Sequence, residues 1–233
     1  MFSPYHKLTN CPRLERHIAT LRAAGNVADD VFQNHNRYHY ALIHKLKCAR
    51  TSFDRLQNEL TDTSPEQIVS DSGEFLYSIN ACIDSFFYTS GSAMDILARE
   101  VLTYFSIAMP NKVYYRTARE ELTTHRPGDV LISKLADPTW KSEFSNYRNA
   151  LTHEVLIAGV FSINFVMDGA TQRKTIVFPL PDDPRTDPQA RTFRQNKDVQ
   201  LYCDRTLRRL LSLINTIYGD LCSRIQSNQS LPL

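Results

Sequence analysis

No two cysteines in this sequence are spaced as C-x-x-C. The five present (Cys11, Cys48, Cys82, Cys203 and Cys222) stand singly. An odd, unspaced set argues against both a disulfide framework and a zinc motif. Between Met1 and His17 there is no uninterrupted apolar core of the kind a signal peptide carries. Nor is there an apolar run of about 18 residues or more, the length needed to cross a bilayer. These absences lead to the expectation of a reduced, cytoplasmic protein with no membrane partner. Excess charge of one sign is missing too: 27 Lys and Arg against 25 Asp and Glu leave a formal net charge of +2. So weak a field does not gather nucleic acid, and any RNA contact has to come from a local cluster. A Gly-rich phosphate loop, an H-E-x-x-H helix and a Ser-His-Asp set are all lacking, so neither a cofactor nor a metal is expected.

What is present is a composition of 42% hydrophobic and 22% charged residues, that of a folded chain. Its 233 residues suffice for one large domain with a real core. There is no internal repeat. Helical periodicity dominates: from Phe32, the residues Tyr38, Leu42, Leu46, Ala49, Phe53, Leu56 and Leu60 step by three or four. Thr61 to Pro65 interrupts this face. A second helix opens near Ser72 and carries Phe75, Ile79, Cys82, Phe86, Ala93, Leu97 and Val101, until Met109-Pro110 ends it. Small residues at Ser90 to Ala93 would let another helix approach closely.

A shorter helix is expected over Val113 to Thr123, and Arg126-Pro127-Gly128-Asp129 breaks the chain. Asp137-Pro138 reads as an N-cap with proline at the first helical position. The helix that follows carries Trp140, Phe144, Tyr147 and Leu151 on its apolar side. Val160 to Met167 and Lys174 to Leu180 then have strand character around the turn signal Asp168-Gly169, which predicts one β-hairpin at about 158–180. Pro179 to Asn196 is a loop. A last helix runs from Asp198 to about Ile225, with Val199, Leu207, Leu210, Ile214, Ile217 and Leu221 inward. The fold expected is mainly α, four or five helices with one hairpin insertion. Residues 1–30 form an N-terminal segment packed on a bundle that spans 31–233.

The most informative stretch is Tyr147-Arg148-Asn149-Ala150-Leu151-Thr152-His153-Glu154. On a helical projection Arg148 and His153 lie about 140° apart, with Asn149 and Thr152 between them and away from the apolar side. These residue types suit RNA cleavage by the ribose 2′-hydroxyl. Histidine transfers protons near neutral pH, arginine offers a charged planar fork to phosphate, and asparagine orients the phosphate or the imidazole. The substrate carries its own nucleophile, so no metal is required. One histidine is poorly suited to serve as both acid and base, and a two-fold dimer supplies the second. An ordinary solvated helix face also presents one Arg and one His, and Arg37 and His44 stand at a comparable spacing without the asparagine.

The segment resembles the signature of the HEPN superfamily: an arginine, a polar residue that is often asparagine, and a histidine shortly after. Arg148, Asn149 and His153 match each part, with four residues between Arg148 and His153. The order of parts is similar over roughly Phe32 to Ile225, and the inserted hairpin departs from a minimal HEPN bundle. The resemblance implies a four- or five-helix up-and-down bundle, usually dimeric. It further implies metal-independent endoribonuclease activity in a toxin or phage-defence setting. The partners implied are a second copy, RNA, and a protein antitoxin or regulator. Some branches bind without cutting, so the alternative is a non-catalytic RNA- or nucleotide-binding regulatory module. A third is a structural helical protein in which the segment is incidental.

Other groups are weaker. His35 and His39, four apart, suit one metal from a helix face, but no acidic residue or cysteine completes the set nearby in the sequence, and the simpler expectation is a polar helix start with aromatic packing. Among Asp84, Asp95 and Glu100, Asp95 is the best placed to orient His153 or Arg148, with Thr152 beside them, and Glu100 is expected to be a surface charge. Arg116, Arg119 and Arg126, with Arg173, Lys174, Arg185, Arg191 and Arg194, are candidates for an RNA-holding rim. Tyr114 and Tyr115 are candidates for stacking on bases. Asp182, Asp183 and Asp187 in the loop favour ordinary charge pairing instead.

Overall fold

The structure is a computed structural model that describes residues 8–110, 114–136, 139–153, 161–168 and 171–227. The described residues are mainly helical. They comprise α1 (Cys11–Ala23), α2 (Asp29–Asp62), α3 (Pro65–Ser70), α4 (Ser72–Tyr104), α5 (Tyr115–His125), α6 (Val130–Ala136), α7 (Thr139–His153) and α8 (Val199–Gln226). The strands are β1 (Ser162–Asp168), β2 (Thr171–Val177), β3 (Pro179–Leu180) and β4 (Lys197–Asp198). No helix among the described residues is long and apolar enough to cross a membrane. The chain divides into two units, and three of the four divisions fall inside the long helices α2, α4 and α8. The first unit is Met1–Lys47, Ser90–Pro138 and Arg208–Leu233; the second is Cys48–Thr89 and Thr139–Leu207.

In the first unit, α1 buries Cys11, Leu14 and Ile18. It stops at Gly25, whose φ of 72° lets the Asn26 N–H reach back to the Leu21 carbonyl at 2.9 Å. That is the glycine-terminated reverse turn that satisfies the last carbonyls of a helix. The segment before α1 is tied to α8: the Asn10 N–H donates to Asn215 Oδ1 at 2.9 Å, and Asn10 Nδ2 donates to the Asn215 carbonyl at 2.8 Å. Gly219 makes room for this contact, because a Cβ there would lie 2.8 Å from Asn10 Nδ2.

The second helix of the sequence reading ends earlier than proline alone suggests. Ser106 takes φ 50°, and the Ile107 N–H bonds the Leu102 carbonyl at 3.1 Å while the Ser106 N–H bonds that of Thr103 at 3.0 Å. A serine in the left-handed conformation takes the place usually given to glycine, so α4 closes at Tyr104.

An ion-pair clamp joins α8 to the turn before α6. Arg224 grips Asp129 with both terminal nitrogens, at 2.9 and 2.6 Å, and its Nε reaches Asp220 at 2.5 Å. Partial burial alone would raise the Asp129 carboxyl. The Arg224 fork and the Leu131 N–H overcome it and hold the group below the usual carboxylate range. A carboxyl depressed in the folded state contributes stability above its unfolded value of about 3.9 and loses it as pH falls through the lower folded value. Asp129→Asn is therefore expected to flatten the fall in melting temperature below about pH 4. Thermal melts across the acid range check this, and an acid limb identical to the parent chain would contradict the clamp.

In the second unit, α3 opens with a reciprocal cap, in which Ser64 Oγ accepts from the Gln67 N–H and the Gln67 side chain accepts from the Ser64 N–H. The core is aromatic. Phe87 of α4 stacks on Phe144 of α7 at 5.2 Å and on Tyr202 of α8 at 5.9 Å. Phe178 stacks on Phe161 at 5.3 Å and meets Phe75 at 5.9 Å, so both ends of the hairpin base are held by α4. β1 and β2 pair antiparallel from Ser162↔Val177 to Asp168↔Thr171. The second strand thus starts before the β-branched run that suggested it, because pairing continues up to the turn. Gly169 of the turn signal and the Asp137-Pro138 cap lie outside the described residues.

Candidate functional site

The Arg148 segment occupies the last turns of α7, which ends at His153. Phe144 and Tyr147 are fully buried and Ala150 nearly so. Trp140 and Leu151, expected on the buried side, are only half-buried. The inward stripe thus follows Phe144, Tyr147 and Ala150, stepping by three. Tyr147 fixes this register: its hydroxyl donates to the Pro181 carbonyl at 2.6 Å, and its ring meets Tyr202 at 5.1 Å. Burial pushes its phenol pKa up, so it remains a neutral donor. Arg148 is consequently half-buried, and Asn149 and Thr152 are exposed, with Thr152 Oγ1 donating to the Arg148 carbonyl at 2.8 Å. The side chain of His153 lies outside the described set.

Asp95 belongs to the first unit, where its Oδ1 accepts the Tyr115 N–H at 3.0 Å, one of the first-turn amides of α5 that lack a partner within the helix. Tyr115 is 3% exposed, and its ring is enclosed in the core rather than open to a nucleobase; the neighbouring Tyr114 is 53% exposed. Arg116 is exposed and pairs with Glu120 at 2.8 Å, one turn along α5. Arg119 is half-buried. Arg126 lies over the Phe105 ring at 5.6 Å.

In the second unit, Lys174 donates to the Thr63 carbonyl. Arg185 pairs with Asp183, and Arg191 donates to the carbonyls of Thr186 and Pro184. These two loop arginines are thus engaged within their own loop. The side chain of Arg173 is outside the described set.

A second constellation lies in the first unit, and of its members the sequence offered only the pair His35 and His39. His35 and His39 of α2 and Glu100 and Tyr104 of α4 each stand one turn apart, so each pair projects from one side of its helix. Tyr218 of α8 joins them. All five are at most 2% exposed, so the expectation that Glu100 is a surface charge is corrected. Its carboxylate is an acceptor only, and Tyr218 Oη donates to Oε2 at 2.6 Å while His39 Nδ1 donates to Oε1 at 3.2 Å. His35 Nδ1 lies 3.2 Å from the same oxygen and 2.6 Å from Tyr104 Oη.

Burial alone would raise Glu100, but hydrogen bonds and charge from the two histidines bring it down to about 2. Burial likewise would lower His39, and hydrogen bonds to Cys11 and Glu100 with the Glu100 charge raise it to about 11. Without a metal, this is a carboxylate–imidazolium pair with two phenols around it. Glu100 and Tyr218 stand 61 and 179 residues from His39 in the chain, and Cys11 and Glu15 stand 28 and 24, so no partner lies beside His39 in the sequence.

Compared with known proteins, the chain matches no family model, no curated protein and no solved structure.

Proposed function

We propose that the chain is a metal-independent endoribonuclease of HEPN type, acting as a homodimer through Arg148, Asn149 and His153. The observation that carries this is the end of α7. Phe144, Tyr147 and Ala150 take up the inward stripe, which leaves Arg148, Asn149 and Thr152 on half-buried or exposed positions of the turns that end at His153. In the reaction, a base removes the proton of the ribose 2′-hydroxyl and the 2′-oxygen bonds to phosphorus. The bond from phosphorus to the 5′-oxygen breaks, and an acid protonates that oxygen. His153 and its copy across a two-fold axis divide the two proton transfers. Arg148 binds the non-bridging phosphate oxygens as their charge builds, and Asn149 positions the phosphate. The setting this fits is a toxin or phage-defence system with a protein antitoxin or regulator as a further partner.

The test is cleavage of a broad RNA panel in excess EDTA. The expected upstream product ends in a 2′,3′-cyclic phosphate, and an oligonucleotide with 2′-deoxyribose at the cut position resists. RNA that is bound but cut nowhere would assign the chain to non-catalytic binding instead.

A further inference from the structure

Most of the buried network in the first unit is explained by its own hydrogen bonds. His35 is matched by Tyr104, and Glu100 by Tyr218 and the Nδ1 side of His39. The other side of the His39 ring is different. Its Nε2 lies 3.3 Å from Cys11 Sγ and 3.0 Å from Glu15 Oε1. One ring nitrogen there meets a thiol sulfur and a carboxylate oxygen together, and the three donor atoms all lie within 4.8 Å of one another. Cys11 and Glu15 are one turn apart on α1, which places them on one side of that helix.

We propose that Cys11, Glu15 and His39 form a binding site for a divalent cation of the zinc type. Sulfur, imidazole nitrogen and carboxylate oxygen are the donors zinc takes in tetrahedral sites. Zinc bond lengths place two such donors about 3.4–3.6 Å apart across a tetrahedral edge, a few tenths longer than the distances found. The thiolate and the Glu15 carboxylate together balance a charge of two. The protons of the thiol and of Nε2 pass to solvent as the ion enters.

Glu100 supplies what such a site needs behind its histidine. By accepting from Nδ1 it fixes the tautomer that turns the Nε2 lone pair toward the ion. Cys11 and His39 are at most 2% exposed. The Glu15 side chain is 43% exposed, which gives the ion its route from solvent and leaves the fourth position to water. The bound ion ties α1 to α2. The proposal is independent of the ribonuclease assignment, whose residues belong to the second unit.

The full chain, stripped with chelator and dialysed, is titrated with Co²⁺ and then Zn²⁺ while metal content and the absorption spectrum are followed. One equivalent of Co²⁺ is expected to bind with a thiolate-to-cobalt charge-transfer band, and Zn²⁺ is expected to displace it. At a hundredfold excess over Kd, Zn²⁺ is expected to raise the melting temperature by about 5–10 °C. Cys11→Ser is expected to abolish the charge-transfer band. Glu15→Gln, at a half-exposed position that the fold tolerates, is expected to weaken binding by more than about 100-fold, since loss of outer partners alone costs about 10–100-fold. Circular dichroism verifies that each variant is folded. A folded wild-type chain that takes up no stoichiometric Co²⁺ or Zn²⁺ would overturn the proposal. Binding that is unaltered in both folded variants would equally overturn it by placing the ion elsewhere.

Discussion

Replacement of Glu100 by leucine is expected to destabilise the fold by about 3–5 kcal/mol, the usual effect of removing one partner from a buried charge pair. Glu100 is 0% exposed, and its two oxygens receive Tyr218 Oη and His39 Nδ1 and lie close to His35. Leucine fills much of the same volume but accepts nothing, so two phenols and two imidazoles lose their common acceptor in a place water does not reach. Against a total of about 5–15 kcal/mol for a typical domain, the loss is large enough to move the urea midpoint severely or to unfold the chain. Glu100→Gln keeps one acceptor oxygen and should cost less, about 1–3 kcal/mol. Arg99, next along α4 and exposed, is the control: Arg99→Ala should stay within about 0.5 kcal/mol. Urea unfolding of the three variants decides the matter. A Glu100→Leu chain as stable as Arg99→Ala would show that the network does not hold this part of the fold together.

Larger still is the effect expected on turnover from the end of α7. His153→Ala should lower the cleavage rate by about 10²–10⁴-fold, the contribution of a positioned proton-transfer group. It should leave the fold intact, because the inward stripe of α7 is Phe144, Tyr147 and Ala150. Arg148→Lys preserves the charge and removes the planar fork. The expected loss is about 10–100-fold in turnover, the equivalent of one or two charge-assisted hydrogen bonds. Single-turnover rates separate this from RNA affinity, which the Arg148→Lys chain should retain in large part. Equal rates for wild type and His153→Ala would place the proton chemistry on other residues.

The long helices were legible because each buries a continuous stripe. The residues spaced by three and four from Leu42 to Leu60 and from Val199 to Leu221 are buried in the structure. Helix ends set by proline signals or polar interruptions were legible only in part. α4 stops at Tyr104 through the backbone of Ser106, a residue with no punctuation value in a sequence. α1 does not stand out within residues 1–30 of the sequence because its buried residues, Cys11, Leu14 and Ile18, are few among charged neighbours. Its terminating Gly25 carried the available signal.

At the candidate site, the polar character of Arg148, Asn149 and Thr152 followed from periodicity. The rotation of the buried stripe onto Ala150, away from Leu151, depends on Tyr147 reaching Pro181 and could not be read from spacing. The histidine cluster was hidden for a simpler reason. Its members come from α2, α4 and α8, and only the fold makes Glu100 and Tyr218 neighbours of His39.

The most direct test of the central claim is a side-by-side single-turnover assay of the wild-type chain and His153→Ala on one all-RNA oligonucleotide in EDTA, with product ends identified by mass. The expected result is wild-type cleavage that leaves a 2′,3′-cyclic phosphate, together with its near-complete loss in a variant whose circular dichroism is unchanged. Intact RNA with the wild-type chain, or the same products at the same rate from His153→Ala, would contradict it.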